Sequence, residues 1–139
     1  MKIASYKGTR PGFPGLFNVA TRWWLSGSYS HTELMFSDGL CASSSFLDGG
    51  VRFTRISLDP AKWDLIDCPG DEAYARAWFE KHDGEPFDVL GLAGFIGPRG
   101  LEDQWKWFCD EAIAAALQIP QPWRFDPCTL PILIQQRVR

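Results

Sequence analysis

The stretch Tyr29-Ser30-His31-Thr32-Glu33-Leu34-Met35-Phe36-Ser37-Asp38-Gly39-Leu40-Cys41-Ala42-Ser43-Ser44-Ser45-Phe46 decides the fold. Its first eight residues alternate and carry aromatic ends, the pattern of a strand. Ser37-Asp38-Gly39-Leu40 is a hairpin turn signal, and Cys41 to Phe46 returns as a second strand. Leu47-Asp48-Gly49-Gly50 turns again, and Val51-Arg52-Phe53-Thr54-Arg55-Ile56 has period-two patterning. After Asp59-Pro60, Trp63-Asp64-Leu65-Ile66-Asp67-Cys68 reads as a fourth strand. A meander of three or four antiparallel strands is the expected result.

Upstream, Ile3 to Lys7 is a short extended segment, and the glycines and prolines of Gly8 to Gly15 make a loop. Leu16 to Leu25 reads as a helix, with Leu16, Val19, Ala20, Trp23 and Trp24 on one stripe. By default the Trp23-Trp24 and Trp105-Trp107 pairs belong to the core. Downstream the chain turns helical. Asp71 to His82 carries acids in its first turn and Lys81-His82 in its last, as the helix dipole prefers. Phe87 to Ile96 reads as a short apolar helix, broken by Gly97-Pro98-Arg99-Gly100. Trp107-Phe108-Cys109-Asp110-Glu111-Ala112-Ile113-Ala114-Ala115-Ala116-Leu117 is an alanine-rich helix ended by Ile119-Pro120. Pro120 to Pro127 is a loop, and Leu130 to Gln136 is a last helix that tolerates Pro131 in its first turn. Strands in the first half and helices in the second define an α+β protein, and residues 1–139 read as a single domain.

The chain's 139 residues suffice for one buried core. A net charge of −3 gives no basic footprint and argues against nucleic acid as a partner. No apolar run reaches the ~20 residues of a membrane span, and no secretory signal is visible, so a cytoplasmic location is expected. Cys41, Cys68, Cys109 and Cys128 form no CxxC pair and sit near no histidine in sequence. Neither a zinc site nor a disulfide framework is expected, and no metal or cofactor is implied.

Two histidines, His31 and His82, are the only ones available for chemistry. His82 at a helix end is explained as a favourable cation. Cys109 falls in the first turn of its helix, where free N–H groups and the positive dipole end favour a thiolate. It is either a small buried hydrophobe or a nucleophile that needs a histidine from elsewhere. His31, Glu33 and Met35 share a strand face, so the Glu33 carboxylate can orient the His31 imidazole. A two-residue Asp38-Gly39 turn would set Ser44 opposite Glu33 and Phe46 opposite His31. A shift of one residue would give Ser44's place to Ser43. Glu111 suits the dipole of its own helix. Trp107, two residues before the cysteine, is a candidate for lining a substrate cleft.

Ser30-His31-Thr32-Glu33-Leu34-Met35-Phe36-Ser37-Asp38-Gly39, Ala42-Ser43-Ser44, Asp48-Gly49-Gly50-Val51-Arg52 and Trp107-Phe108-Cys109-Asp110-Glu111 together resemble the circularly permuted branch of the NlpC-type, papain-like cysteine peptidases. In that branch the histidine strand precedes the cysteine helix, as here. The resemblance extends to small members encoded in phages and prophages, and covers roughly Tyr6 to Leu133. The branch usually has serine after the cysteine; this chain has Asp110. The resemblance implies a papain-like fold, a small antiparallel sheet or barrel packed on the cysteine-bearing helix. It implies Cys109 as nucleophile, His31 as general base and then acid, and a third polar residue. In many relatives that residue comes from the next strand, which here offers only serines. Glu33 is therefore the favoured orienter, with Ser44 or Ser43 as alternatives.

The activity this implies is cleavage or transfer of an amide or acyl bond, with a small peptide, a cell-wall peptide or an acyl lipid as substrate. The competing reading is a catalytically degraded scaffold that serves as a phage-type binding or assembly module. The lack of an acid or histidine on the Cys41 to Phe46 strand favours it.

Overall fold

The computed structural model describes residues 1–87 and 107–138. The protein is α+β. Five strands, β1 (Lys2–Tyr6), β2 (His31–Met35), β3 (Cys41–Ser45), β4 (Gly50–Thr54) and β5 (Trp63–Asp67), form one antiparallel sheet. Four helices accompany it among the described residues: α1 (Phe13–Leu25), α2 (Glu72–His82), α3 (Cys109–Ala116) and α4 (Thr129–Val138). A short 3-10 turn spans Pro122–Arg124, within the loop expected there. The helix expected over Phe87 to Ile96 falls, apart from Phe87, outside the described residues, as do the Gly97 to Gly100 break and Trp105.

The strand order is β4-β3-β2-β1-β5, an open sheet rather than a barrel. The meander holds for β2, β3 and β4 and then stops. The fourth strand of the sequence reading, β5, crosses to the far edge and pairs with β1, Ile3 opposite Ile66. The N-terminal segment thereby becomes an interior strand between β2 and β5. The crossing segment covers the sheet as it passes: Ile56 and Leu58 pack on Ala4, Tyr6 and Trp63.

The two sheet faces differ because strand side chains alternate. One face carries Ile3, Leu34, Ala42 and Val51, which join Ala75 and Phe79 of α2, Ala112, Ile113 and Ala116 of α3, and Leu130 and Ile134 of α4 in the main core. Asp71 caps α2 by accepting from the Tyr74 N–H at 3.0 Å. The opposite face carries His31, Glu33, Ser43 and Arg52.

The β2–β3 hairpin has a three-residue loop, not two. Phe36 N–H donates to the Leu40 carbonyl and Gly39 N–H to the Phe36 carbonyl, with Gly39 at φ 77°. This is a turn followed by a left-handed residue, a conformation glycine adopts without steric cost. Leu34 therefore pairs with Ala42 and Met35 with Cys41. Continued, that register sets Ser43, not Ser44, opposite Glu33. The shift sends Ser44 to the helix side of the sheet.

Helix α1 begins three residues before the expected start, with Pro14 in its first turn. Three members of its expected stripe lie outside the core: Leu16, Val19 and Trp23 are 70, 50 and 77% exposed. No helix among the described residues is long and apolar enough to cross a membrane.

Candidate active site

His31 opens β2, and two links hold that strand end in place. Asn18 of α1 donates from Nδ2 to Ser30 Oγ at 3.1 Å and accepts the Arg10 N–H on Oδ1 at 3.2 Å. Arg22, one turn further along α1, donates to the Gly8 carbonyl and to Thr9 Oγ1, tying the β1–α1 loop to the helix. The start of α3 is fixed separately. Residues Gly84 to Phe87 run beside β4, with Val51 N–H donating to the Glu85 carbonyl at 2.8 Å. A Cβ on Gly50 would lie 2.0 Å from that carbonyl, so only glycine permits the approach. Trp107 then bridges to Phe87 in parallel, and the chain turns into α3 two residues later.

On the sheet face away from α3, His31 Nε2 lies 2.7 Å from Glu33 Oε1. Glu33 is fully buried, and Arg52 grips it with two parallel hydrogen bonds, Nη1 to Oε2 at 2.7 Å and Nη2 to Oε1 at 2.5 Å. Arg52 Nε in turn donates to Asp48 Oδ2 at 2.9 Å. Burial by itself would push the Glu33 carboxyl up, but His31 and Arg52 outweigh it and hold the group below its ordinary value. Glu33 is thus a buried, ionised carboxylate whose bidentate partner fixes its plane. Trp63 meets the imidazole edge-on at 6.5 Å between centroids.

On the other side of β2, Cys109 and Asp110 occupy the first two positions of α3, 7 and 1% exposed. Cys109 Sγ donates to Asp110 Oδ2 at 2.9 Å. The sequence predicts a thiol pKa lowered by the helix end; here it stands well above its ordinary value. Burial is the main cause, and the adjoining Asp110 charge and hydrogen bond add to it, outweighing the backbone of Thr32. Burial also lifts the Asp110 carboxyl to about 6, against the pull of the Cys109 thiol, the Thr32 side chain and the His31 charge. Asp110 Oδ1 and Thr32 Oγ1 are both buried without a hydrogen bond of normal geometry.

The two halves meet at a cavity of about 350 Å³ whose walls include His31, Cys109 and Asp110. His31 reaches it because it is the first residue of its strand, at the open end of the sheet. The other walls are mainly apolar and aromatic, among them Tyr6, Trp23, Phe46, Phe108 and Phe125. Among the described residues, Arg10 and Asp126 are the remaining charged wall residues.

Three sequence candidates have other partners. Ser44 is not behind His31: its hydroxyl donates to the Trp107 carbonyl at 2.6 Å, on the α3 side of the sheet. Ser43 lies opposite Glu33, but its hydroxyl donates to the Thr32 carbonyl at 2.7 Å. Trp107 does not line the cavity. Its indole N–H donates to Glu85, and its ring meets Trp78 edge-on at 4.9 Å and His82 at 5.5 Å. Phe108, the next residue, faces the cavity instead. His82 stacks on Trp78 at 4.0 Å and bonds the Trp78 carbonyl through Nδ1, so it closes its own helix. Glu111 accepts from the Phe108 N–H at 3.4 Å, the helix-start role expected of it.

Sequence reasoning missed Arg52, Asn18 and the consequence of Asp110. A signal for Arg52 was present: Val51 and Phe53 alternate with it toward the core, which puts the guanidinium on the face of Glu33. Among the described residues no group of three His, Cys, Asp or Glu side chains is placed to hold a metal ion. Comparison with protein-family models, with curated proteins and with solved structures finds no match to this chain.

Proposed function

We propose that the chain is a thiol-dependent hydrolase or acyl transferase of the permuted NlpC-type, papain-like kind, acting on an amide or acyl bond. The observation that carries this reading is that His31 and Cys109 wall one cavity while a buried, arginine-locked Glu33 holds the imidazole. With Nε2 committed to Glu33, Nδ1 is the ring nitrogen left to take the thiol proton. The sulfur then attacks the substrate carbonyl carbon as the C=O π pair moves to oxygen, where the Cys109 N–H at the helix start helps hold it. Collapse breaks the bond to the leaving amine or alcohol, which takes the proton from His31 and leaves a thioester. Water, deprotonated by His31, releases the acid and restores the thiol. In a transferase, an acceptor hydroxyl or amine replaces that water. Glu33 keeps the ring oriented and stabilises its cation.

The aromatic walls favour an acyl chain or other apolar group beside the scissile carbonyl over a polar cell-wall peptide. A second reading, a catalytically degraded scaffold used for binding or assembly, draws its support from the Cys109–Asp110 bond, which keeps the thiol proton away from His31.

Incubation with p-nitrophenyl hexanoate followed by peptide mass spectrometry separates the two. A hexanoyl adduct on the Cys109 peptide, lost in both Cys109→Ala and His31→Ala, is the expected result. No adduct on wild-type Cys109, or one unaffected by His31→Ala, would overturn the enzyme reading. A muropeptide assayed in parallel tests the preference for apolar substrates.

A further inference from the structure

We propose that Asp110 is a positioning residue that latches Cys109: its carboxylate holds the thiol proton at rest, and the cysteine becomes a nucleophile when that charge or that contact is removed. The proposal rests on the reading of Cys109 as nucleophile and adds the control of that same sulfur. The geometry is local and tight. Sγ and Oδ2 are 2.9 Å apart, on adjacent residues of one helical turn, and both side chains are buried. In such a low-dielectric setting a thiolate beside a carboxylate is strongly disfavoured, whereas S–H···O⁻ satisfies the thiol and one carboxylate oxygen.

Few groups compete for this pair. From β2, the His31 charge acts on Asp110, and Thr32 contributes its hydroxyl to Asp110 and its backbone to Cys109. From the segment entering α4, Asp126 adds a second negative charge, and Cys128 lies within the field of both acids. Arg10 shares the cavity wall, with its guanidinium over the Tyr6 ring. The helix end would favour the thiolate, but α3 is only eight residues long and its second residue is the acid that opposes it. The raised position of the Cys109 thiol agrees in sign with this arrangement, and the thiol's hydrogen bond pulls the Asp110 carboxyl down against the larger effect of burial.

His31 and Asp110 thus have opposite effects on one proton. Asp110 keeps it on sulfur, and His31 removes it once a substrate group occupies the cavity and displaces or neutralises the carboxylate. Replacing the carboxylate with a neutral amide keeps the volume and removes the charge.

The test is the pH profile of Cys109 alkylation by iodoacetamide, read peptide by peptide so that Cys41, Cys68 and Cys128 are scored separately. In this reaction the C–S bond forms, iodide leaves and the thiol proton passes to buffer. Asp110→Asn is expected to move the midpoint down by at least about one pH unit and to speed labelling at pH 7 by about tenfold. Asp110→Ser, with a smaller side chain, should move the midpoint the same way and serves where the asparagine variant does not fold, folding being checked by circular dichroism. A midpoint unmoved in a folded variant would overturn the latch. This readout needs no turnover, so its failure is distinct from that of the enzyme reading, which the acyl adduct judges.

Discussion

Glu33 Oε1 lies 2.7 Å from Nε2 of His31, two residues back on the same strand face, and the same oxygen accepts from Arg52. The carboxylate behind the histidine is therefore also held by a partly buried guanidinium. Arg52→Ala should destabilise the protein by about 3 kcal/mol, since removing one partner strands a buried charge. Urea unfolding monitored by tryptophan fluorescence would measure it, and a loss below about 1 kcal/mol would mean that the pair is solvated.

Glu33→Gln and Ser44→Ala separate two candidates for the group behind His31. Glu33→Gln should shift the His31 ring signals in NMR at fixed pH, because the ring loses its carboxylate partner. Ser44→Ala should leave those signals in place while costing about 1 kcal/mol, as the part-buried Trp107 carbonyl loses its donor.

The pH dependence of stability should have two limbs. The Asp110 carboxyl is raised to about 6 in the folded state against an ordinary value of 3.8, so the fold binds this proton more tightly than the unfolded chain does. Its ionisation therefore costs stability above pH 6, and the cost is relieved as pH falls from about 6 towards 3.8. Glu33 and Asp48 are held below their ordinary values, so their stabilisation is present above about 4.5 and 3.8 respectively, and is lost as pH falls through their folded values. Tm should rise modestly from pH 7 to 5 and fall below pH 4. Asp110→Asn should abolish the upper limb alone.

Core and rim should respond differently to substitution. Ile113 is fully buried between helix and sheet, and Ile113→Ala should cost about 2–5 kcal/mol. Leu16 is 70% exposed on α1, and Leu16→Ser should stay within about 0.5 kcal/mol of wild type. Thermal unfolding of the two variants side by side checks the contrast. A large loss for Leu16→Ser would place that stripe in a buried contact.

Local pattern was enough for the elements. Alternation along His31 to Met35 and Arg52 to Thr54, the Asp71 cap, and the alanine run after Cys109 are short-range signals, and each element formed within a few residues of its expected bounds. The pairing of His31 with Glu33 was also legible, because i and i+2 share a strand face whatever the rest of the chain does. Pairing between segments distant in the chain was not. The Asp38-Gly39 sequence suits either a two- or a three-residue loop, and that single residue decided whether Ser43 or Ser44 faced Glu33.

The sequence by itself determined an α+β chain with a histidine and a carboxylate on one strand and a cysteine at the start of a helix. Tertiary structure decided what these groups touch. β5 crossed to β1, where Trp63 is buried and Ile66, Ile56 and Leu58 are partly buried, an outcome set by the whole sheet. The Arg52 clamp on Glu33 required β3 to lie between their strands. At Cys109 the helix end pointed to a low thiol pKa, but burial and the adjoining Asp110 reversed the sign. Dielectric environment belongs to the folded molecule, and no residue pattern carries it.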